Sequence, residues 1–175
     1  MGRAKGPAVT EATAEDIDAL VDHRHNMFED IRHRTPEEHL QGDRIYREWL
    51  GKTLKEKRAV FFVAKNGRGK VVASGGIWLR EKQPRLSDRG GMAPYLLSMY
   101  TAPAYRHRGL ATAIVARAEE WCRENGYNFV TLHASTMGRM LYSKLGWKRG
   151  WEMYKEFDEE GKDRRRTSAA RGRHS

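Results

Sequence analysis

The chain has 175 residues and a mass of 20.2 kDa, enough for one ordinary domain with a real core. Its formal net charge of +10 is concentrated at the ends, in Arg3 and Lys5 and in Lys162, Arg164, Arg165, Arg166, Arg171 and Arg173 against Asp163 alone. No aromatic residue is interleaved in that C-terminal run to stack on bases, and this argues against a dedicated nucleic-acid reader and leaves only nonspecific contact by the tail.

The single cysteine, Cys122, excludes an intramolecular disulfide, and the longest purely apolar run, residues 59–64, is too short to span a bilayer. The N-terminus has no apolar signal segment, and Gly6 stands where a myristoylation site needs Ser or Thr. A cytoplasmic protein without membrane contact is the expectation. Residues 1–7 are expected to be flexible, 8–157 to form one domain, and 158–175 to be a basic disordered tail.

Residues 8–10 read as a short edge strand. Thr13 then caps a helix with Glu15 and Asp16 in its first turn, and Ile17, Leu20, Val21, Phe28 and Ile31 form its apolar stripe. Arg24 lies on that stripe, where a guanidinium needs a partner or must snorkel; it is also the helix's candidate for holding a substrate. His25, Asn26, Glu29 and Asp30 cluster near the helix end, as the lining of an entrance or as an ordinary polar face.

Thr35, Pro36 and Glu38 start a second helix with a capping box, and its stripe is read as Leu40, Ile45, Trp49, Leu50 and Leu54. Gly42 and Gly51 predict a kink or a break. Residues 59–64 and 71–79 form a hairpin about Asn66–Gly69, with Gly75 and Gly76 marking a bulge or a close approach. A charged loop over 80–91 follows.

Residues 94–101 read as a central strand. It ends in Pro103 and the run Arg106, His107, Arg108, Gly109, and a helix begins at once, burying Leu110, Ile114, Ala118 and Trp121. Such a turn leaves backbone N–H groups at the positive end of the helix, where an anion sits well and Arg106 and Arg108 can add charge-assisted bonds. Asn125-Gly126 stops that helix, and 127–133 is the next strand, so strand, helix, strand form a parallel crossover. A short helix starts at Ser135 or Thr136 and ends at Gly146, and 147–157 reads as a final aromatic strand.

Arg106, Gly109 and Ala111, spaced Arg-x-x-Gly-x-Ala after a strand and Pro103, resemble the acetyl-coenzyme A loop of GCN5-related N-acetyltransferases. Leu141-Tyr142-Ser143-Lys144-Leu145-Gly146-Trp147 resembles the "LYEKLGF" ending of the same family, with Trp147 in place of Phe. Each motif alone is weak; in this order, with a strand between them, they reinforce each other. The match is best over 95–157, and residues 8–79 agree in element order.

The resemblance implies an α/β fold: a mixed, mostly antiparallel sheet of six to seven strands, helices on both faces, and a central strand–phosphate loop–helix unit. It implies an N-acetyltransferase taking acetyl-coenzyme A and a small-molecule or peptide amine, with direct attack in a ternary complex and no metal. Main-chain groups of Met99, Tyr100 and Thr101 would meet the pantetheine arm. The backbone of Arg106, His107, Arg108, Gly109, Leu110 and Ala111 would hold the diphosphate, with the Thr112 hydroxyl beside it.

Tyr142 is the family-equivalent general acid to the leaving thiolate. Ser135 and Gly138 stand where relatives often carry Asn and Ala, and Ser135 can still hydrogen-bond. Some relatives place a Glu where this chain has Tyr95. His133 is therefore the candidate base, with a structural histidine or ordered water as alternatives. Arg24 suits a carboxylate-bearing acceptor, whereas Glu29 and Asp30 suit a cationic one. Two further readings stay open: a non-catalytic acyl-coenzyme A-binding module of the same fold, and, for oligomeric state, the homodimer common among relatives.

Overall fold

The computed structural model describes residues 8–31, 34–83 and 91–153. In order, its elements are β1 (Val9–Glu11), α1 (Ile17–Ile31), α2 (Pro36–Lys55), β2 (Ala59–Lys65), β3 (Val71–Glu81), β4 (Met92–Thr101), α3 (Leu110–Glu124) and α4 (Thr136–Lys144), with single 3-10 turns at Ala14–Asp16 and Pro103–Tyr105. All of these lie in the unit Met1–Leu145; of the second unit, Gly146–Ser175, residues 146–153 are described and are irregular.

The four strands form one antiparallel sheet in the order β1-β2-β3-β4. Alternation along β2 decides what each face carries. Phe61 and Val63 join Leu20, Val21, Tyr46 and Leu50 in a core between the sheet and the α1–α2 pair. Phe62 points the other way, and the guanidinium of Arg117 from α3 lies 5.4 Å from its ring. Helices therefore cover both faces, as expected.

The expected six to seven strands are corrected to four among the described residues. Residues 127–133 touch β4 only through the parallel bridge Tyr95↔Thr131, where Leu96 N–H donates to the Thr131 carbonyl at 2.8 Å and Thr131 N–H to that of Pro94 at 3.2 Å. Residues 147–153 contain no strand, and 154–157 lie outside the described residues. Aromatic and β-branched composition raises strand propensity, but a strand exists only where its backbone finds a ladder to join.

The helix starts follow their caps. Asp16 accepts from Thr13 N–H, and Thr35 and Glu38 form the capping box that opens α2. α2 runs unbroken through Gly42 and Gly51, because its inward face is continuous: His39, Tyr46, Leu50 and Thr53 are buried. Leu40 and Ile45, read as part of the stripe, are instead exposed, and the buried row begins one residue earlier, at His39. Trp121, expected in the buried row of α3, is only half-buried, and Val115 and Cys122 take its place.

Candidate active site

Gly75 and Gly76 explain themselves by what a side chain would meet. A Cβ on Gly75 would lie 2.2 Å from Met99 Sδ and 2.9 Å from Ile114 Cγ2; one on Gly76 would lie 2.6 Å from the Phe61 ring. Opposite them, β4 carries an extra residue: Gly76 pairs with Leu97 but Ser74 with Tyr100. Ser98 sits in that bulge with φ 52°, uncommon for a side-chain-bearing residue, and its Oγ accepts from the Tyr46 hydroxyl at 3.2 Å. Just past Thr131 the neighbouring segment stops pairing with β4, so the strand reaches Thr101 with one edge unpaired among the described residues.

The turn after β4 is braced from within. Arg106 Nε donates to the Thr101 carbonyl at 3.0 Å, and its terminal nitrogen meets Asp30 Oδ2 at 2.5 Å. His107 and Gly109 both take left-handed backbone, φ 60° and 77°. At Gly109 an added Cβ would meet nothing within 4 Å, so glycine is needed here for its backbone and not for internal packing. No side chain caps α3, whose first internal bond runs from Ala113 N–H to the Gly109 carbonyl. The N–H groups of Leu110, Ala111 and Thr112 thus head the helix with the positive end of its dipole and no capping oxygen. Leu110 is buried and anchors this turn, Ala111 is half-buried, and Thr112 is exposed. Arg108 lies over the Tyr105 ring.

Ser135 caps α4, its Oγ accepting from Gly138 N–H at 3.1 Å. That bond uses Ser135 Oγ as an acceptor, so what the side chain has to offer a ligand is chiefly its O–H. Tyr142 packs its ring over Gly138, where a Cβ would come within 3.0 Å of the ring carbon Cε2. Burial, with nearby Tyr95 contributing, pushes the Tyr142 hydroxyl up to about 12. Tyr95 Oη meets His133 Nδ1 at 2.5 Å and accepts the His133 main-chain N–H at 3.2 Å. Arg80 stacks on the Tyr95 ring at 3.8 Å.

The three acceptor-side candidates are not one patch. Asp30 is tied to Arg106, and Glu29 abuts His39 on α2. Arg24 is half-buried between the rings of Tyr46 at 4.4 Å and Phe28 at 4.7 Å, and burial lowers its pKa. Tyr46, Ser98 and the buried His23, whose Nδ1 lies 2.8 Å from Ser74 Oγ and whose ring flanks Tyr100, were not singled out by the sequence. Tyr46 and His23 follow helical periodicity from Leu50 and Leu20; nothing local announces the bulge at Ser98.

A bulged strand, a left-handed turn and an uncapped helix make an anion-binding corner on a mixed α/β fold. The model of the Acetyltransferase (GNAT) family matches residues 23–147, and the chain belongs to that family. A GCN5-related N-acetyltransferase from Ralstonia eutropha is 29% identical, with a TM-score of 0.77 over 87% of this chain and 99% of that one. A predicted acetyltransferase from Clostridium acetobutylicum, solved with acetyl-CoA, is 24% identical, with a TM-score of 0.75 over 85% of this chain and 94% of that one. An aminoglycoside antibiotic 6'-N-acetyltransferase from Acinetobacter haemolyticus, 17% identical with a TM-score of 0.62 over 87% and 98%, shares the fold. No curated protein matches the chain by sequence. No helix among the described residues is long and apolar enough to cross a membrane.

Proposed function

We propose that this protein is an N-acetyltransferase that moves an acetyl group from acetyl-coenzyme A to a primary amine, with residues 8–157 acting as one catalytic domain. The observation that carries the reading is the uncapped start of α3 behind two left-handed residues, open at Gly109. These residues fit a diphosphate. Amides of Leu110, Ala111 and Thr112 would bind it with the turn from Arg106 to Gly109, and Arg106, braced by Asp30, stiffens that turn more than it reaches outward. Main-chain groups of Met99, Tyr100 and Thr101 on the unpaired edge would take the pantetheine arm. The cofactor supplies an activated acetyl thioester and leaves as a thiolate.

Tyr142 is assigned as the proton donor to that thiolate. Its hydroxyl stays protonated at neutral pH, and the burial that raises its pKa also raises a thiolate's appetite for a proton, so the transfer is less uphill than values in water suggest. His133 is assigned as the group that accepts the amine's proton. Its Nδ1 lies 2.5 Å from Tyr95 Oη, which also accepts the His133 main-chain N–H, so Tyr95 orients the ring. With Glu29 and Asp30 held by His39 and Arg106, Arg24 is the acceptor contact of choice, and it selects an amine that also carries an anionic group.

Thiol release from acetyl-coenzyme A across amine classes tests this. Turnover with carboxylate-bearing amines is expected, and Tyr142→Phe should lower it on the order of 10²-fold or more while coenzyme A affinity holds. Unchanged turnover removes Tyr142 from the mechanism. Retained coenzyme A binding without thiol release from any amine identifies a non-catalytic binding module instead.

A further inference from the structure

α1 and α2 each carry a histidine followed four residues later by a carboxylate: His25 and Glu29 on one, His39 and Asp43 on the other. Residues four apart share a helix face, so each pair presents one edge. The helices pack so that the pairs meet crosswise: Glu29 Oε1 abuts His39 Nε2, and His25 Nδ1 lies 2.7 Å from Asp43 Oδ2. Ligand atoms of His25, Glu29 and His39 all fall within 4.8 Å of one another. The His39 side chain is only 7% exposed, and its Nε2 is buried without a bond of hydrogen-bond geometry, the Glu29 oxygen notwithstanding. A cleft of about 400 Å3 opens over the group, reaching Arg34, Pro36 and Leu40.

We propose that this cluster is a binding site for a zinc-class divalent transition ion, held by His25, Glu29 and His39 and oriented by Asp43. Two imidazoles and a carboxylate are a donor set suited to such an ion and poorly suited to magnesium or calcium, which take oxygen cages. Asp43 at Nδ1 of His25 supplies the carboxylate–histidine contact that fixes a metal-binding ring and leaves its Nε2 to ligate.

The rings of His25 and His39 stack with centroids 4.2 Å apart at 29°, which sets the two imidazoles side by side. A bound dication would offset the charges of Glu29 and Asp43. Arg34 lines the same cleft, with its guanidinium 4.0 Å over the Phe28 ring. Water from the cleft would complete a tetrahedron.

The consequence is mechanical: the ion would clamp α1 to α2, and this pair delivers Arg24 and Tyr46 to the bulge at Ser98. The claim is independent of the transferase reading, since binding is measured without acetyl-coenzyme A.

The test uses the full chain without a polyhistidine tag, stripped with chelator and titrated with Zn2+ and, separately, Co2+. One ion per chain, a tetrahedral visible absorption band with Co2+, a higher Tm with Zn2+ and no competition from excess Mg2+ are expected. His25→Gln and Glu29→Gln alter partly exposed side chains and so preserve the fold, checked by circular dichroism; each should weaken binding at least tenfold. Glu48→Gln, an exposed acid elsewhere on α2, should leave it intact. No stoichiometric binding, or binding equally tight in His25→Gln and Glu29→Gln, overturns the proposal.

Discussion

Burial holds the Tyr142 hydroxyl at about 12, so in the proton-donor role proposed for it Tyr142 should contribute the same factor to turnover across the neutral range. The ratio of wild-type to Tyr142→Phe kcat is expected to stay flat between about pH 6 and 10, and a ratio that changes through that range would assign the titrating acid to another group. Gly76 makes a second claim at this scale. The Phe61 ring it faces is 1% exposed and has little room to withdraw, so Gly76→Ala should cost about 1–3 kcal/mol in urea unfolding. The sequence singles out Tyr142 because it belongs to a motif. The ring under Gly76 was not, because Phe61 comes from another strand and only the pairing Phe61↔Gly76 brings them face to face.

Among elements, the caps and the turn into α3 are the parts written locally. Thr35 accepts from Glu38 N–H and Glu38 from Thr35 N–H, so Thr35→Ala should remove about 1 kcal/mol from unfolding without touching coenzyme A affinity. Gly109→Ala has no clash to fear and only left-handed strain, about 1 kcal/mol; the larger effect expected is a raised KM for acetyl-coenzyme A as the methyl intrudes where the diphosphate would lie. Equal KM in the variant and the wild type would show that the diphosphate lies elsewhere. The bulge in β4 had no signature of its own: Leu-Ser-Met-Tyr reads as continuous strand, and the extra residue appears only against the register of β3. Residues 127–133 were overread for the converse reason, since their composition suits a strand that the sheet pairs at one residue alone.

At the scale of the molecule, burial of titratable groups sets how stability depends on pH. Burial lowers the pKa of His23, so folding prefers its neutral ring; this contribution is complete above the unfolded value of about 6.5 and is lost as pH falls through the lower folded value. Unfolding free energy should therefore begin to decline below about pH 6.5, and His23→Gln should flatten that part of the curve; identical slopes in the two proteins would exclude His23 as the cause. Asp16 adds a separate, more acidic decline: burial pushes its carboxyl up, but the bonds from Lys65 and Thr13 prevail and hold it low, so its share is lost only as pH falls below the usual carboxylate range.

The sequence by itself determined the helix starts, the hairpin, the tight turn into α3 and the family, because caps, turns and short motifs are interactions among residues a few positions apart. The tertiary structure decided the strand count, the bulge, the tying of Asp30 to Arg106 and the meeting of His25 and Glu29 with His39. Those depend on which surfaces of distant segments come to share a face, and hydrophobic packing settles that only once the whole chain has folded.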